Sequence, residues 1–224
     1  MKGKLLLFAT LLTTFCWTIP GEAANPNHVE KLLSTKDCPR CDLRDAQLNQ
    51  ANLKDANLRG ARLDGADLSG AKLEGANLSQ AKMEGVQMFL ANLKNANLRG
   101  AKLGVRQKKN EEGQIISIPS NLDSANLNGA DLYDANMSGS LLNQTKFIGT
   151  KLDYANLSYA QLLKANFTKA NLIGANLVSS NLGQANLNFA NLSAANLSGA
   201  QLNGATLDRA NFDSAILPNA NLSQ

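Results

Sequence analysis

The chain is poor in the residues from which most enzymes and metal sites are built. One histidine, His28, stands among 224 residues, with three cysteines and aromatics at 5% of the composition. A zinc centre at the two downstream cysteines would need two further ligands, and there is no second imidazole to offer one. No Walker loop and no nucleophile elbow occur, and the carboxylates are spread singly instead of gathering towards a pocket. These absences argue against an enzyme, and no cofactor or metal is expected. With so few aromatics the lysines lack the stacking platforms of single-strand nucleic-acid binders, so nucleic acid is not an expected partner.

What the sequence has instead is a beat of five. From Ala51 to Gln80 it reads ANLKDANLRGARLDGADLSGAKLEGANLSQ, an Ala-x-Leu core that returns every five residues. An α-helix turns about 100° per residue, so leucines five apart step about 140° around the axis and form no stripe. In a flat strand an odd period sends successive leucines to opposite faces. Within one repeat, however, Ala and Leu lie two apart and point the same way from an extended segment, with the residue between them pointing out. The remaining pair, such as Ser-Gly, Asp-Gly or Arg-Gly, suits a tight turn whose third position takes a positive φ. One repeat is a side and a corner, and corners that all turn one way wind the chain into a coil around its Leu and Ala side chains.

A central Leu, Phe or Met falls at every fifth position from Leu43 to Leu103 and from Leu122 to Leu222, 34 positions in all. The inward position two before it is Ala in 27 of these; the exceptions, Cys41, Val86, Ser120, Ser140, Thr145, Thr150 and Ser180, are of modest size. The pattern resembles the pentapeptide-repeat family, whose consensus is A-[DN]-L-x-x. That resemblance implies an all-β fold, a right-handed quadrilateral parallel β-helix with four repeats, or about 20 residues, per coil. Stacking then buries each Leu for roughly 1.5–3 kcal/mol and pairs the backbone in parallel rungs. Phe147 and Phe167 are expected to stack inside, and the column Asn136, Asn156, Asn176 and Asn196 reads as an amide ladder along the outside.

The first residues follow another pattern. Lys2 and Lys4 precede an apolar run from Leu5 to Ile19, followed by Pro20-Gly21-Glu22-Ala23. Basic start, apolar run and small residues predict a secretory signal peptide over 1–23, cleaved after Ala23. About 15 apolar residues fall short of the ~20 that span hydrocarbon, so no stable membrane insertion is expected after cleavage. Residues 24–37 read as an N-terminal cap in which Asn27 to Ser34 forms a short helix, with Val29, Leu32 and Leu33 on the face that closes the first coil. In Cys38-Pro39-Arg40-Cys41 both cysteines take inward positions when the register is extended backwards, and a structural disulfide is expected in an oxidising compartment. A redox-active dithiol is the alternative, although no helix follows to lower a thiol pKa, and a zinc site lacks ligands. The helix and Cys-Pro-x-Cys preceding the repeats also resemble the leaders of exported cyanobacterial members of the family, which implies the thylakoid lumen or the periplasm.

Two arrays, 38–103 and 121–224, flank a segment 104–120 in which the register fails. Val105 on one side and Ile115, Ile116 and Ile118 on the other of a turn-like Lys-Asn-Glu-Glu-Gly run predict a hairpin or loop leaning on the rod, either a recognition loop or a neutral insertion. Charge is uneven: Ala24 to Asn110 holds 15 Lys and Arg against 9 acids, whereas Asn121 to Gln224 holds 5 against 6. Coils of about 20 residues stack Arg62, Lys82 and Lys102 in one outward column. Extended by Arg106, Lys108 and Lys109, it reads as a docking strip for an acidic protein or, with Asp64 and Glu84 beside it, as a solvated face of alternating charge. Phe89, Tyr133, Tyr154, Tyr159 and Phe189 are outward aromatics suited to contact. Imitation of DNA to occupy gyrase, the family's best-known activity, needs an acidic cytoplasmic rod, against a pI of about 9.0 here. The bare last rung is an unpaired edge that predicts a weak homodimer through the C-terminal coil. Together these features describe a non-enzymatic exported rod offering a rigid surface to another protein. The alternative is a redox-responsive lumenal or periplasmic factor switched by Cys38 and Cys41.

Overall fold

A computed structural model describes residues 23–223, so the signal peptide expected over 1–23 lies outside the described residues except for Ala23. From Cys38 onward each repeat is one rung segment and one corner. At the corner the N–H of the inward Ala donates to the carbonyl of the preceding central residue, as in Ala56 to Leu53 and Ala175 to Leu172, both at 3.0 Å. The residue before that Ala takes a positive φ, 65° at Gly60 and 58° at Asp55. Glycine is not obligatory there: Leu90, Tyr154, Tyr159 and Phe189 adopt the same left-handed conformation, against the steric preference of bulky residues.

Parallel bridges join each outward residue to the one 20 positions later, Asp37 to Asn57, Asn57 to Asn77 and Asn77 to Asn97, so four corners complete a coil. Amides of central residues donate to the next coil, Leu53 to the Lys72 carbonyl at 2.8 Å, and amides of outward residues donate to the previous one, Asn77 to Ala56 at 2.8 Å. The amide two after the central residue also donates to the next coil, Asp55 to Glu74 at 2.8 Å. Only the amide directly after the central residue has no backbone acceptor in this scheme. The outward Asn supplies one: Oδ1 of Asn136, Asn156 and Asn176 accepts from Ser138, Ser158 and Val178 at 3.1 Å each, and Oδ1 of Asn196 from Ser198 at 3.0 Å. The ladder reading of that column is therefore corrected, for only Asn176 donates along it, to Asn156 at 3.3 Å. Short polar side chains bond their own backbone two residues on more readily than a neighbour a full coil away. Where Lys82 replaces the Asn, the orphan Glu84 amide donates instead to Asp64 Oδ1 of the previous coil, at 3.1 Å.

The interior is one continuous column, with every central residue from Leu53 to Leu197 fully buried. Phe147 and Phe167 stack inside it at 4.7 Å with their rings 3° from parallel. Hydroxyls at Ala-type positions are satisfied, Thr145 donating to Leu122 O at 2.8 Å and Thr150 to Leu127 O at 2.9 Å, as buried polar groups require.

Helix α1, Pro26–Thr35, closes the first coil. Asn25 caps it by accepting from the Asn27 amide at 3.0 Å, and Lys36, with φ of 58°, ends it. Leu32 is fully buried over the coil and Val29 half-buried, but Leu33 is 54% exposed. One residue past Leu32, it is turned about 100° away, to the rim of the cap. Strands β1, Val105–Lys109, and β2, Ile115–Pro119, form an antiparallel hairpin. Across it Gln87 bridges to Asn121 and Lys102 to Asn136, a step of 34 in place of 20, so the hairpin adds 14 residues at one corner. Leu103 and Leu122 consequently lie on consecutive sides and the coils stack without a break.

Candidate functional site

The residues marked out in the sequence fall into three places on the rod. At its N-terminal end Cys38 and Cys41 lie with Cα atoms 5.4 Å apart and sulfurs at disulfide distance. Cys38 is fully buried and Cys41 4% exposed beneath the cap. His28 serves the same junction: its Nδ1 accepts the Asp42 amide at 3.0 Å, and the Asn25 amide donates to the Asp42 carbonyl at 3.1 Å. Val29, Leu33, Pro26 and Ala46 line an open cleft of about 820 Å³ beside the helix.

Asp42 anchors the start of the charged column. Arg44 donates to its two oxygens from Nε at 2.8 Å and Nη2 at 2.7 Å, and Arg62 Nη1 stands 3.9 Å away. The Arg44 hydrogen bond holds the Asp42 carboxyl below its usual 3.8, aided by the Arg44 amide and by the charges of Arg44 and Arg62, and opposed by partial burial. The same bond raises the Arg44 guanidinium.

Arg62, Lys82 and Lys102 bridge in succession, so the column stands as the spacing predicts. Together with Asp64, Glu84 and Gln107 they border a groove of about 350 Å³ at the foot of the hairpin. Lys82 and Lys102 form no ion pair among the described residues. Arg106 behaves differently. It leaves β1 and runs along the rod to grip both Asp45 oxygens, Nη1 at 2.5 Å and Nη2 at 3.1 Å, with a further bond from Nη1 to the Asp64 carbonyl at 3.3 Å. Its side chain is 12% exposed, which makes it a strut that fastens the hairpin and removes it from the open strip. The path exists because Gly65 and Gly85 leave the corner bare: a Cβ on Gly65 would collide with Arg106 Nη1, and one on Gly85 would lie 2.8 Å from Arg106 Cβ. Lys108 and Lys109 pair with Ile116 and Ile115 in the hairpin, Lys109 exposed and Lys108 half-buried.

The outward aromatics are divided. Tyr133 and Tyr154 meet edge to face at 5.6 Å on one corner, and Arg99 lies 4.3 Å over the Tyr133 ring while donating to Asp131 at 3.2 Å. Phe189 carries Arg209 at 5.5 Å. Tyr159 and Phe89 are exposed on other corners, at 64% and 44%. The sequence offered no direct sign of the Arg99 contact, since Arg99 and Tyr133 are neighbours only once the hairpin's 14 extra residues are discounted. Among the described residues no group of three or more His, Cys, Asp or Glu is placed to hold a metal, and no helix is long and apolar enough to cross a membrane.

The family described as Pentapeptide repeats matches residues 41–80, 73–104, 120–158, 145–184 and 185–224. No curated protein matches the chain. Among solved structures, HetL of the cyanobacterium Nostoc sp. strain PCC 7120, a pentapeptide-repeat protein involved in heterocyst differentiation regulation, is 32% identical over 87% of this chain and 92% of its own, with a TM-score of 0.32. QnrB1, a plasmid-mediated fluoroquinolone resistance protein, is 19% identical over 73% of this chain and 84% of its own, with a TM-score of 0.30. A pentapeptide-repeat protein of the Arabidopsis thaliana thylakoid lumen is 26% identical over 66% and 70%, with a TM-score of 0.15. The matched segments cover both arrays on either side of the hairpin, and the chain belongs to the pentapeptide-repeat family.

Proposed function

We propose that this chain is an exported, non-enzymatic scaffold, a right-handed four-sided rod whose outer wall is a rigid surface for another protein. Pentapeptide-repeat proteins are generally non-enzymatic scaffolds. The observation that carries the reading is the pair Lys82 and Lys102, stacked on consecutive coils beside a groove while the neighbouring arginines are held by Asp42 and Asp45. Two ammonium groups on rungs about 4.8 Å apart repel each other weakly, Asp64 and Glu84 at the same groove offset part of that repulsion, and further anions across the lysines lower it more. An acidic segment of a partner supplies those anions, in an exposed and salt-sensitive contact. The leader from Lys2 to Ala23 supports export, and the Cys-Pro-x-Cys likeness supports the thylakoid lumen or periplasm. A pI of about 9.0 weighs against the DNA-mimic reading.

A photo-cross-linking residue at Gln107, on the groove's margin, tests this in the native compartment. The expected result is a dominant adduct through an acid-rich segment, lost in Lys82→Glu/Lys102→Glu; an adduct pattern indifferent to the charge reversal would contradict it.

Two further readings rest on separate observations. Cys38 and Cys41 sit beneath the cap, so reduction would loosen α1 and make the rod redox-responsive. A plain scaffold binds its partner alike before and after reduction, and a switch does not. At the other end the amides of Leu207, Phe212 and Leu217 have no acceptor among the described residues and Leu222 is 51% exposed, which favours weak end-to-end pairing of two copies. Light scattering should then give a mass that rises with concentration.

A further inference from the structure

We infer that the corner carrying Tyr133 and Tyr154 is a recognition site for an arginine side chain on a basic segment of a partner protein. The bridges Asn97 to Asp131, Asp131 to Lys151 and Lys151 to Asn171 place four corner pairs on consecutive coils: Arg99 and Gly100, Tyr133 and Asp134, Asp153 and Tyr154, Ile173 and Gly174. Half of this block is already filled. Arg99 lies over the Tyr133 ring at 4.3 Å and reaches Asp131 at 3.2 Å, a guanidinium held by an aromatic face and a carboxylate together.

The other half has a ring and two carboxylates of its own, and the position equivalent to Asp131 holds Lys151. Tyr154 is 56% exposed, and its ring can lie down along the rod because Gly174 has no side chain; a Cβ there would stand 2.8 Å from Tyr154 Cε1. Asp134 occupies the position one coil before Tyr154, and Asp153 precedes Tyr154 in the chain. Asp153 Oδ1 accepts from Asn171 at 2.6 Å, and neither Asp134 nor Asp153 forms an ion pair among the described residues. Lys151, on the same coil, pairs with neither. Tyr154 also keeps a left-handed φ of 59° in a position that glycine fills on the next coil.

Charge decides the occupant. An apolar side chain seated on Tyr154 would desolvate two carboxylates without pairing them. An arginine stacks its plane on the ring and offers donors to both sides, which a compact ammonium does less well.

The test uses the purified protein with ring-labelled tyrosines, three in the sequence, observed by NMR during titration with acetyl-Gly-Arg-Gly-amide and its lysine and citrulline analogues. The arginine peptide should shift the Tyr154 ring signals saturably and leave Tyr159 unmoved, the lysine peptide should bind more weakly, and citrulline should give no shift. Tyr154→Ala should weaken binding roughly two- to fivefold, and Asp134→Asn/Asp153→Asn should act in the same direction. Arg99→Ala vacates the filled half, so the arginine peptide should then shift Tyr133 as well. Equal shifts from arginine and citrulline, no Tyr154 response at millimolar peptide, or Tyr154 signals that move on dilution without peptide, as they would if a second copy occupied the corner, each overturn the proposal. The citrulline comparison needs no variant, so it stands even where a substitution impairs folding.

Discussion

Asn156 and Leu157 are adjacent, yet one completes the backbone's hydrogen bonding from outside and the other fills the axis. Leu157→Asp places an unpaired charge in a fully buried position and should remove several kcal/mol, about 4 or more. Asn156→Asp keeps the oxygen that accepts from Ser158 and should change stability by no more than about 0.5 kcal/mol, whereas Asn156→Ala orphans that amide at about 1 kcal/mol. Urea midpoints of the three variants check this, and equal midpoints for Leu157→Asp and Asn156→Asp would contradict the inward assignment. Asp42 makes a second residue-scale prediction. Its folded carboxyl ionises below the usual 3.8 because Arg44 bonds it, so the pairing stabilises the fold above about pH 4 and is lost as pH falls through the folded value. The melting temperature of the natural protein should drop more steeply between about pH 4 and 2 than that of Asp42→Asn; parallel acid limbs would show that the pair contributes nothing.

Among the elements, the hairpin is fastened to the rod by a side chain of its own. Arg106 holds it to Asp45 from 61 residues away, in a groove that Gly65 and Gly85 leave open. Arg106→Ala or Asp45→Ala should leave the far-ultraviolet spectrum of the coil unchanged and speed proteolytic cutting at the exposed turn 110–114 by several-fold; unchanged cutting would mean that the strand pairing alone fixes the hairpin. That contact also marks where reading the chain stops being enough. The corner, the inward positions, the helix and the hairpin were legible because each is encoded within a few residues: Ala-x-Leu and its turn, Val29 and Leu32 at helical spacing, isoleucines across an Asn-Glu-Glu-Gly turn. The Arg99–Tyr133 stack was not, since its separation depends on how many of the hairpin's residues count towards the coil, and the Arg106 strut was not, since it starts in β1, off the five-residue register, and runs back over Gly85 and Gly65 to Asp45. The outward Asn column was misread for another reason. An alignment of identical side chains every 20 residues looks like a ladder, but the unpaired amide two residues along is nearer than the next Asn.

At the scale of the whole molecule, stability accumulates along one dimension. Each coil is satisfied by the ones before and after it, so the ends carry the exposed edges: α1 and the Cys38–Cys41 pair cover the first, and the last has no cover among the described residues. The hairpin interrupts the sequence repeat without interrupting the stack, and this supports reading the basic first half and the Tyr133–Tyr154 corner as parts of one rigid surface. The central claim is that outward residues in one column climb a single rod by a fixed rise per coil, hairpin included. It is tested most directly by electron-spin distance measurements between labels at Lys72 and Asn186, which are linked by five successive bridges, one of them across the hairpin. At a rise of about 4.8 Å per coil the backbone separation should be about 24 Å, with a narrow distribution, and it should shorten by one rise when the second label moves to Asn166. A broad distribution, or a distance that does not step with the coil, would contradict the account.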